Sequence, residues 1–182
     1  MSATVAIIGA GPLGRWLALS AARAGFSVLL EDVMPANLHH AQEFLRQELG
    51  PAGQGVNPGV ALVTTIEDAV RDADLAIDCV PDELESKLEI LWLLDRMAPP
   101  RTVFATPTTR LSIADLAGCT YRPGKCVAVA AEAKDLAGNS GAQILLRTTT
   151  RTAPETVALL DDFWRRLGFT PTFQQEAVVS DQ

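Results

Sequence analysis

The stretch "TVAIIGAGPLGRWLALSAARAG", residues 4–25, decides the fold. An apolar run over 5–9 passes into three glycines and emerges as apolar residues at helical spacing from Pro12 onward. That order is strand, tight turn, helix. Gly9, Gly11 and Gly14 stand in a G-x-G-x-x-G pattern at the junction, the context in which the pattern binds a dinucleotide. The first glycine permits the turn, Gly11 lets the backbone approach a pyrophosphate, and Gly14 lets the helix pack closely on the sheet. Pro12 and Leu13 open a helix whose unpaired amides and positive dipole end suit phosphate.

The next strand, "SVLLED", ends at Asp32, 18 residues beyond Gly14. An acidic residue at about that spacing accepts hydrogen bonds from the adenosine ribose hydroxyls and repels a 2′-phosphate. The cofactor expected is therefore NAD rather than NADP. Glu31 competes for the role, but alternation along a strand points neighbouring side chains to opposite faces, which favours Asp32.

The same rhythm continues. Strands are predicted over 5–9, 27–31, 61–64, 75–80, 102–106 and 126–130, and helices start near Pro12, Pro35, Ile66, Glu83 and Ser112. Thr65 before Asp68 and Ser112 before Asp115 have the spacing of helix N-caps. Alternating strands and helices make crossover units, so the expected fold is a single α/β domain, a doubly wound (Rossmann) mostly parallel sheet over residues 1–176. Past residue 130 a Gly/Ala-rich connection leads to a strand "QILLRT", a helix over 154–167 and a last strand "TPTFQ"; the tail 177–182 is expected to fray.

Composition narrows the function. In 182 residues carrying a formal charge of −7 there is no basic stripe, which argues against a nucleic-acid partner. No run approaches 18 apolar residues and no basic segment precedes the apolar start, so neither a membrane span nor a secretory leader is expected, and the cytoplasm is the expected compartment. Cys79, Cys119 and Cys126 lack paired spacing and read as reduced core thiols, with no metal site.

With these features in hand, the chain resembles the 3-hydroxyacyl-CoA dehydrogenases from Thr4 to about Thr172, through "VAIIGAGPLGR", "VLLEDV", "TTIEDAVRDADLAIDCVPDELESKLEIL", "LDRMAPPRTVFATPTTRLSIADLA" and "RPGK". The resemblance implies that Val80, Asp82 and Lys87 line the cofactor cleft. It also implies catalysis by a hydroxyl after the fifth strand and a histidine after the sixth, oriented by a glutamate; a base titrating near neutrality suits that step. The hydroxyl is present as Thr109, although Pro107 replaces the family's asparagine. The histidine position falls on Ala130, and "QILLRT" holds no acid for the partner glutamate. The family's helical C-terminal domain has no counterpart in these residues.

His39 and His40 follow the second strand at the adenosine end and read as surface imidazoles. Glu132, Lys134, Asp135 and Tyr121 read as ordinary loop and helix-end groups near the cleft. Two functions follow as expectations: an NAD-dependent oxidoreductase acting on a small hydroxy or keto substrate held by Thr109, or a non-catalytic NAD-binding module. Association as a homodimer or with a separate subunit is expected if Trp92 and Trp164 are partly exposed.

Overall fold

Strand β1 (Thr4–Ile8) is buried on both faces, which a strand achieves only at the centre of a covered sheet. The computed structural model, which describes residues 3–50, 59–137 and 141–176, places it there. Eight strands form one sheet in the order β3-β2-β1-β4-β5-β6-β7-β8, with β2 at Ser27–Glu31, β3 at Val60–Val63, β4 at Leu75–Asp78, β5 at Val103–Pro107, β6 at Cys126–Ala130, β7 at Gln143–Thr148 and β8 at Thr170–Gln175. The first six run parallel; β7 is antiparallel to β6, and β8 follows β7 in parallel. The chain winds outward from β1 through β2 to β3, then returns to wind the other way from β4. Such a reversal leaves a crevice at the carboxyl ends of β1 and β4, where ligands of doubly wound sheets bind.

Alternate residues of β1 feed two cores. Val5 and Ile7 join Leu17, Leu30, Phe163 and Trp164 on one face, whereas Ala6 and Ile8 join Leu91, Leu94, Phe104 and Leu116 on the other. Helices α1 (Pro12–Arg23), α2 (Pro35–Leu49) and α7 (Pro154–Arg166) cover the first; α3 (Ile66–Val70), α4 (Leu84–Met97) and α5 (Ile113–Gly118) cover the second. The predicted caps form: Thr65 and Ser112 accept the amide N–H of Asp68 and Asp115.

Two expectations change. A short helix α6 (Ala133–Leu136) occupies what reads in sequence as an irregular connection, and Glu132 with Asp135 closes a capping box at its start. Trp164 is buried edge-on between Phe163 and Phe169, because α7 presents it to the sheet at apolar spacing. Trp92 alone is half exposed, its ring under the Arg96 guanidinium. The expected frayed tail over 177–182 lies outside the described residues. No helix among the described residues is long and apolar enough to cross a membrane.

Candidate functional site

The glycine-rich turn is locked from three sides. Gly9 adopts φ +102°, a conformation that favours glycine, and a Cβ there would stand 3.0 Å from the Cys79 carbonyl oxygen. Its N–H donates to the Glu31 carbonyl at 2.8 Å, tying the turn to β2. A Cβ on Gly14 would overlap the Gly9 carbonyl oxygen, so only glycine lets α1 start this close to β1. Gly11 differs: a Cβ there would meet nothing within 4 Å. That open space sits at the N-cap of α1, which no side chain caps, leaving the first-turn amides of Leu13 and Gly14 for a ligand.

Around this turn lie two adjoining clefts. One, of about 470 Å³, is bordered by Gly11, Glu31, Asp32, Asn37, Val80 and Ile90 among others. The second, of about 320 Å³, shares Pro12, Cys79 and Val80 with the first and extends past Leu13, Asp82 and Thr109. The predicted residues Gly9, Gly11, Pro12, Leu13, Asp32, Val80, Asp82 and Thr109 all border one or both.

Asp32 is already at work. One carboxylate oxygen accepts the Ala10 N–H at 2.8 Å and the Asn37 side-chain amide at 3.0 Å; the other accepts the Met34 N–H at 2.8 Å. It thereby pins the glycine turn to the start of α2. A carboxylate offers about four acceptor positions, so one is left for a ribose hydroxyl.

Lys87 departs from expectation. It borders neither of the two clefts: the side chain is fully buried, and its Nζ donates to the Asp78 carbonyl at 3.0 Å and to the Asp78 carboxylate at 3.3 Å. Asp78 in turn accepts the Thr106 hydroxyl at 2.8 Å and the Val80 N–H at 3.2 Å. The first turn of α4 points this stem at the end of β4, where it answers a buried carboxylate rather than solvent or ligand. Burial pushes Asp78 upward, opposed first by the Lys87 charge. This network fixes the backbone shared by both clefts.

At the second cleft the polar groups are less committed. Thr109 is exposed and its backbone N–H donates to Asp82 at 3.3 Å, while its hydroxyl has no partner among the described residues. The other Asp82 oxygen, Oδ1, is buried and has no partner among the described residues. Ala130 stands directly opposite Leu145 across the β6/β7 pair, so the two positions are both aliphatic. Glu132 borders the cleft but is ion-paired with Lys134 at 2.8 Å, and Tyr121 projects into solvent. His39 and His40 are exposed on α2. All three cysteines are free, and burial is the largest influence raising their thiols. Among the described residues no cluster of His, Cys, Asp and Glu could hold a metal ion.

Two residues of the first cleft escape the sequence reading. Asn37 carries no motif signal. Glu31 carries one, an acid at the end of an inner parallel strand: it is 2% exposed and borders the cleft, and its Oε1 is buried with no partner among the described residues. Burial, assisted by the neighbouring Asp32 charge, raises its carboxyl to about 7.

A family model described as 3-hydroxyacyl-CoA dehydrogenase, NAD binding domain, matches residues 4–130, and the chain belongs to that family. It is similar to a probable 3-hydroxybutyryl-CoA dehydrogenase of Bacillus subtilis, 29% identical over 133 aligned positions that cover 68% of this chain and 46% of that protein. It is also similar to the 5-formyl-3-hydroxy-2-methylpyridine 4-carboxylate 5-dehydrogenase of Mesorhizobium japonicum, 29% identical over 185 residues, covering 98% of this chain and 59% of the relative. A solved structure of a dehydrogenase of that specificity, described as an NAD+-dependent dismutase, superposes with a TM-score of 0.82 at 28% identity over 97% of this chain and 59% of that one. The chain thus spans about half the length of the curated relatives it matches. Its cofactor is NAD, and the open cradle at Gly11, the uncapped first turn of α1 and the spare acceptor on Asp32 fit it.

Proposed function

We propose that the chain holds NAD with its adenosine half in the cleft bordered by Asp32 and its nicotinamide half toward Thr109, and that these residues lack the general base of a 3-hydroxyacyl-CoA dehydrogenase. One observation carries the reading: Ala130 stands at the position where the resemblance calls for a histidine, and the residue facing it from β7, a strand without an acid, is Leu145. Neither side chain can accept a proton. Bound NAD would supply the hydride acceptor, but removal of the hydroxyl proton must come from elsewhere. The test pairs calorimetric titration with NAD against NADH absorbance with 3-hydroxybutyryl-CoA at pH 7–9. Binding without turnover is expected. Turnover at an ordinary rate, on the order of 10 per second, would overturn the reading.

A second reading is favoured by Asp82, which borders the same cleft as Thr109 and whose Oδ1 has no partner among the described residues. On it the chain is an oxidoreductase acting on a small hydroxy or keto substrate, with Thr109 holding the substrate oxygen and Asp82 taking the proton. Turnover of such a substrate that disappears in Asp82→Asn would select this reading.

For setting and association, three free thiols support a cytoplasmic location, and the half-exposed Trp92 on α4 supports contact with a second copy or a separate subunit. Light scattering that gives a mass near 19.4 kDa at every concentration would remove the homodimer.

A further inference from the structure

A charged residue outside both clefts holds one wall of the second. Ile144 and Leu146 of β7 enter the core shared with α1 and α7, so strand alternation puts Leu145 and Arg147 on the opposite face of the sheet. Across from Arg147 in β6 stands Ala128, which belongs with Phe104 and Leu116 to the second, apolar core. An arginine on that face needs partners, and it has them. Only 18% of its side chain is exposed. Its Nη1 donates to the Leu111 carbonyl at 3.0 Å and to Glu176 Oε1 at 3.4 Å, and its Nη2 donates to the Thr108 carbonyl at 3.0 Å. Glu176, just past β8, uses its other oxygen to accept the Ser112 hydroxyl at 3.2 Å and the Ala114 N–H at 3.1 Å, at the start of α5.

The two carbonyls held by Arg147 bracket Thr109. Between them the chain makes a turn closed by the Thr108 hydroxyl, which accepts the N–H of Arg110 at 3.3 Å and of Leu111 at 3.1 Å. The Thr108 N–H is tied to the Val129 carbonyl at 2.9 Å, and the Thr109 N–H to Asp82 at 3.3 Å. Thr108 and Thr109 border the second cleft, and Arg147 borders neither cleft.

We propose that Arg147 is a positioning residue for the second cleft: braced by Glu176, its guanidinium draws the Thr108 and Leu111 carbonyls together and sets where the turn carrying Thr109 stands. A planar guanidinium fork spans two converging carbonyls, whereas an ammonium is a single point of charge. Without the fork the carbonyls repel each other and lose their donors in a partly buried place, so the turn opens. This rests on the NAD reading above, with the nicotinamide half toward Thr109, and adds the group that fixes that wall. The adenosine half is held by Asp32 and the glycine turn, on the other side of β1 and β4, and does not depend on it. A mere brace for β7 and β8 would instead act on stability and on both halves of the cofactor alike.

The experiment titrates the full chain with NADH and with ADP-ribose, which lacks the nicotinamide. Calorimetry gives the affinities, and the nicotinamide emission of bound NADH reports on the surroundings of that ring. Free NADH is dim because its two rings stack on each other, and a nicotinamide held apart from adenine brightens. The native chain is expected to brighten NADH. Arg147→Met should lose at least half of that gain, while its affinity for ADP-ribose stays within about twofold of native, as for a change away from the contacts that fix the ligand. Arg147→Lys, a cation without the fork, should recover only part of the gain. Native brightness in Arg147→Met, or no brightening by the native chain, would overturn the positioning role. A loss of ADP-ribose affinity in step with the emission would overturn it too, leaving Arg147 a brace for the sheet. Should Arg147→Met fail to fold, Arg147→Lys decides: a partial loss of brightening supports the role and an unchanged brightness overturns it. A native chain that binds neither ligand would overturn the NAD reading and this inference together.

Discussion

The two clefts that meet at Pro12, Cys79 and Val80 differ in what their polar atoms are doing. In the first, Asp32 already holds three donors and the Gly9 amide is tied to β2, so a ligand meets a wall built before it arrives. In the second, the Thr109 hydroxyl and Asp82 Oδ1 have no partner among the described residues, and Ala130, next to the lining residue Ala131, faces only Leu145 across the sheet. The difference separates what a fold supplies from what a site supplies. Dinucleotide binding is mostly backbone geometry, which the sheet cannot lose without losing itself; proton transfer needs particular side chains, which substitution can remove while the sheet stays intact.

The contrast breaks most severely at Lys87, because its network with Asp78 and Thr106 holds the backbone common to both clefts. Lys87→Ala leaves the Asp78 carboxylate buried and uncompensated. Loss of one partner from a buried pair costs about 3–5 kcal/mol. Urea unfolding is expected to show a loss of that size, together with weaker NAD binding. A loss under 1 kcal/mol would show that water reaches Asp78 and that the shared wall does not depend on the lysine.

A smaller effect, confined to the first cleft, is expected from Asp32. Asp32→Ala should weaken NAD by roughly 1.5–3 kcal/mol, the worth of hydrogen bonds to a charged group, and should narrow the native preference for NAD over NADP. Calorimetry with both dinucleotides measures this. A native preference for NADP would mean that the acid faces something other than a ribose.

How far these residues were legible depends on what fixes each of them. Gly9 and Gly14 could be read from sequence because their roles are steric and no other residue fits; the alternation of strands and helices carried the sheet for the same reason. Lys87 was assigned to the cleft by the resemblance alone; its pairing with Asp78 was not legible because that carboxylate hides in an otherwise apolar run. Glu31 was set aside by strand alternation, a rule sound along a strand. At the strand's carboxyl end both faces border the same crevice, so Glu31 and Asp32 share one cleft. Ala130 was readable as an absence, but that Leu145 faces it depends on the register of an antiparallel pair, which no local pattern records. The tryptophans divide likewise: helical spacing buries Trp164, and only the packed structure shows that Trp92 stays out.

Glu31 gives the contrast a pH axis. Its carboxyl titrates near 7 in the folded chain against an ordinary 4.5, so ionisation opposes folding. Below about pH 4.5 both states are protonated and there is no penalty; the penalty grows as pH rises toward 7 and is constant above. The melting temperature of Glu31→Gln should therefore exceed that of the native chain at pH 8 but not at pH 4.5. Allowing for screening by water in the cleft, a gain of about 1–2 kcal/mol would appear as roughly 2–8 °C. Equal gains at both pH values would assign the effect to packing instead.

The smallest effect expected is at Thr109, and its smallness is what sharpens the comparison. The side chain is exposed, its hydroxyl bonds to nothing among the described residues, and it borders the second cleft only. Its backbone N–H, the group that holds Asp82, survives any substitution other than proline. Thr109→Val keeps the branched shape and removes only the hydroxyl, so stability should stay within about 0.5 kcal/mol of native, as for surface changes away from structural features. NAD affinity should stay within about twofold, because the contacts that fix the cofactor lie on the glycine turn and Asp32. Thermal melts and calorimetric titration check both. A tenfold loss of NAD affinity in Thr109→Val would mean that the hydroxyl is part of the cofactor wall, and that the two clefts are one site rather than a complete half joined to an unfinished one.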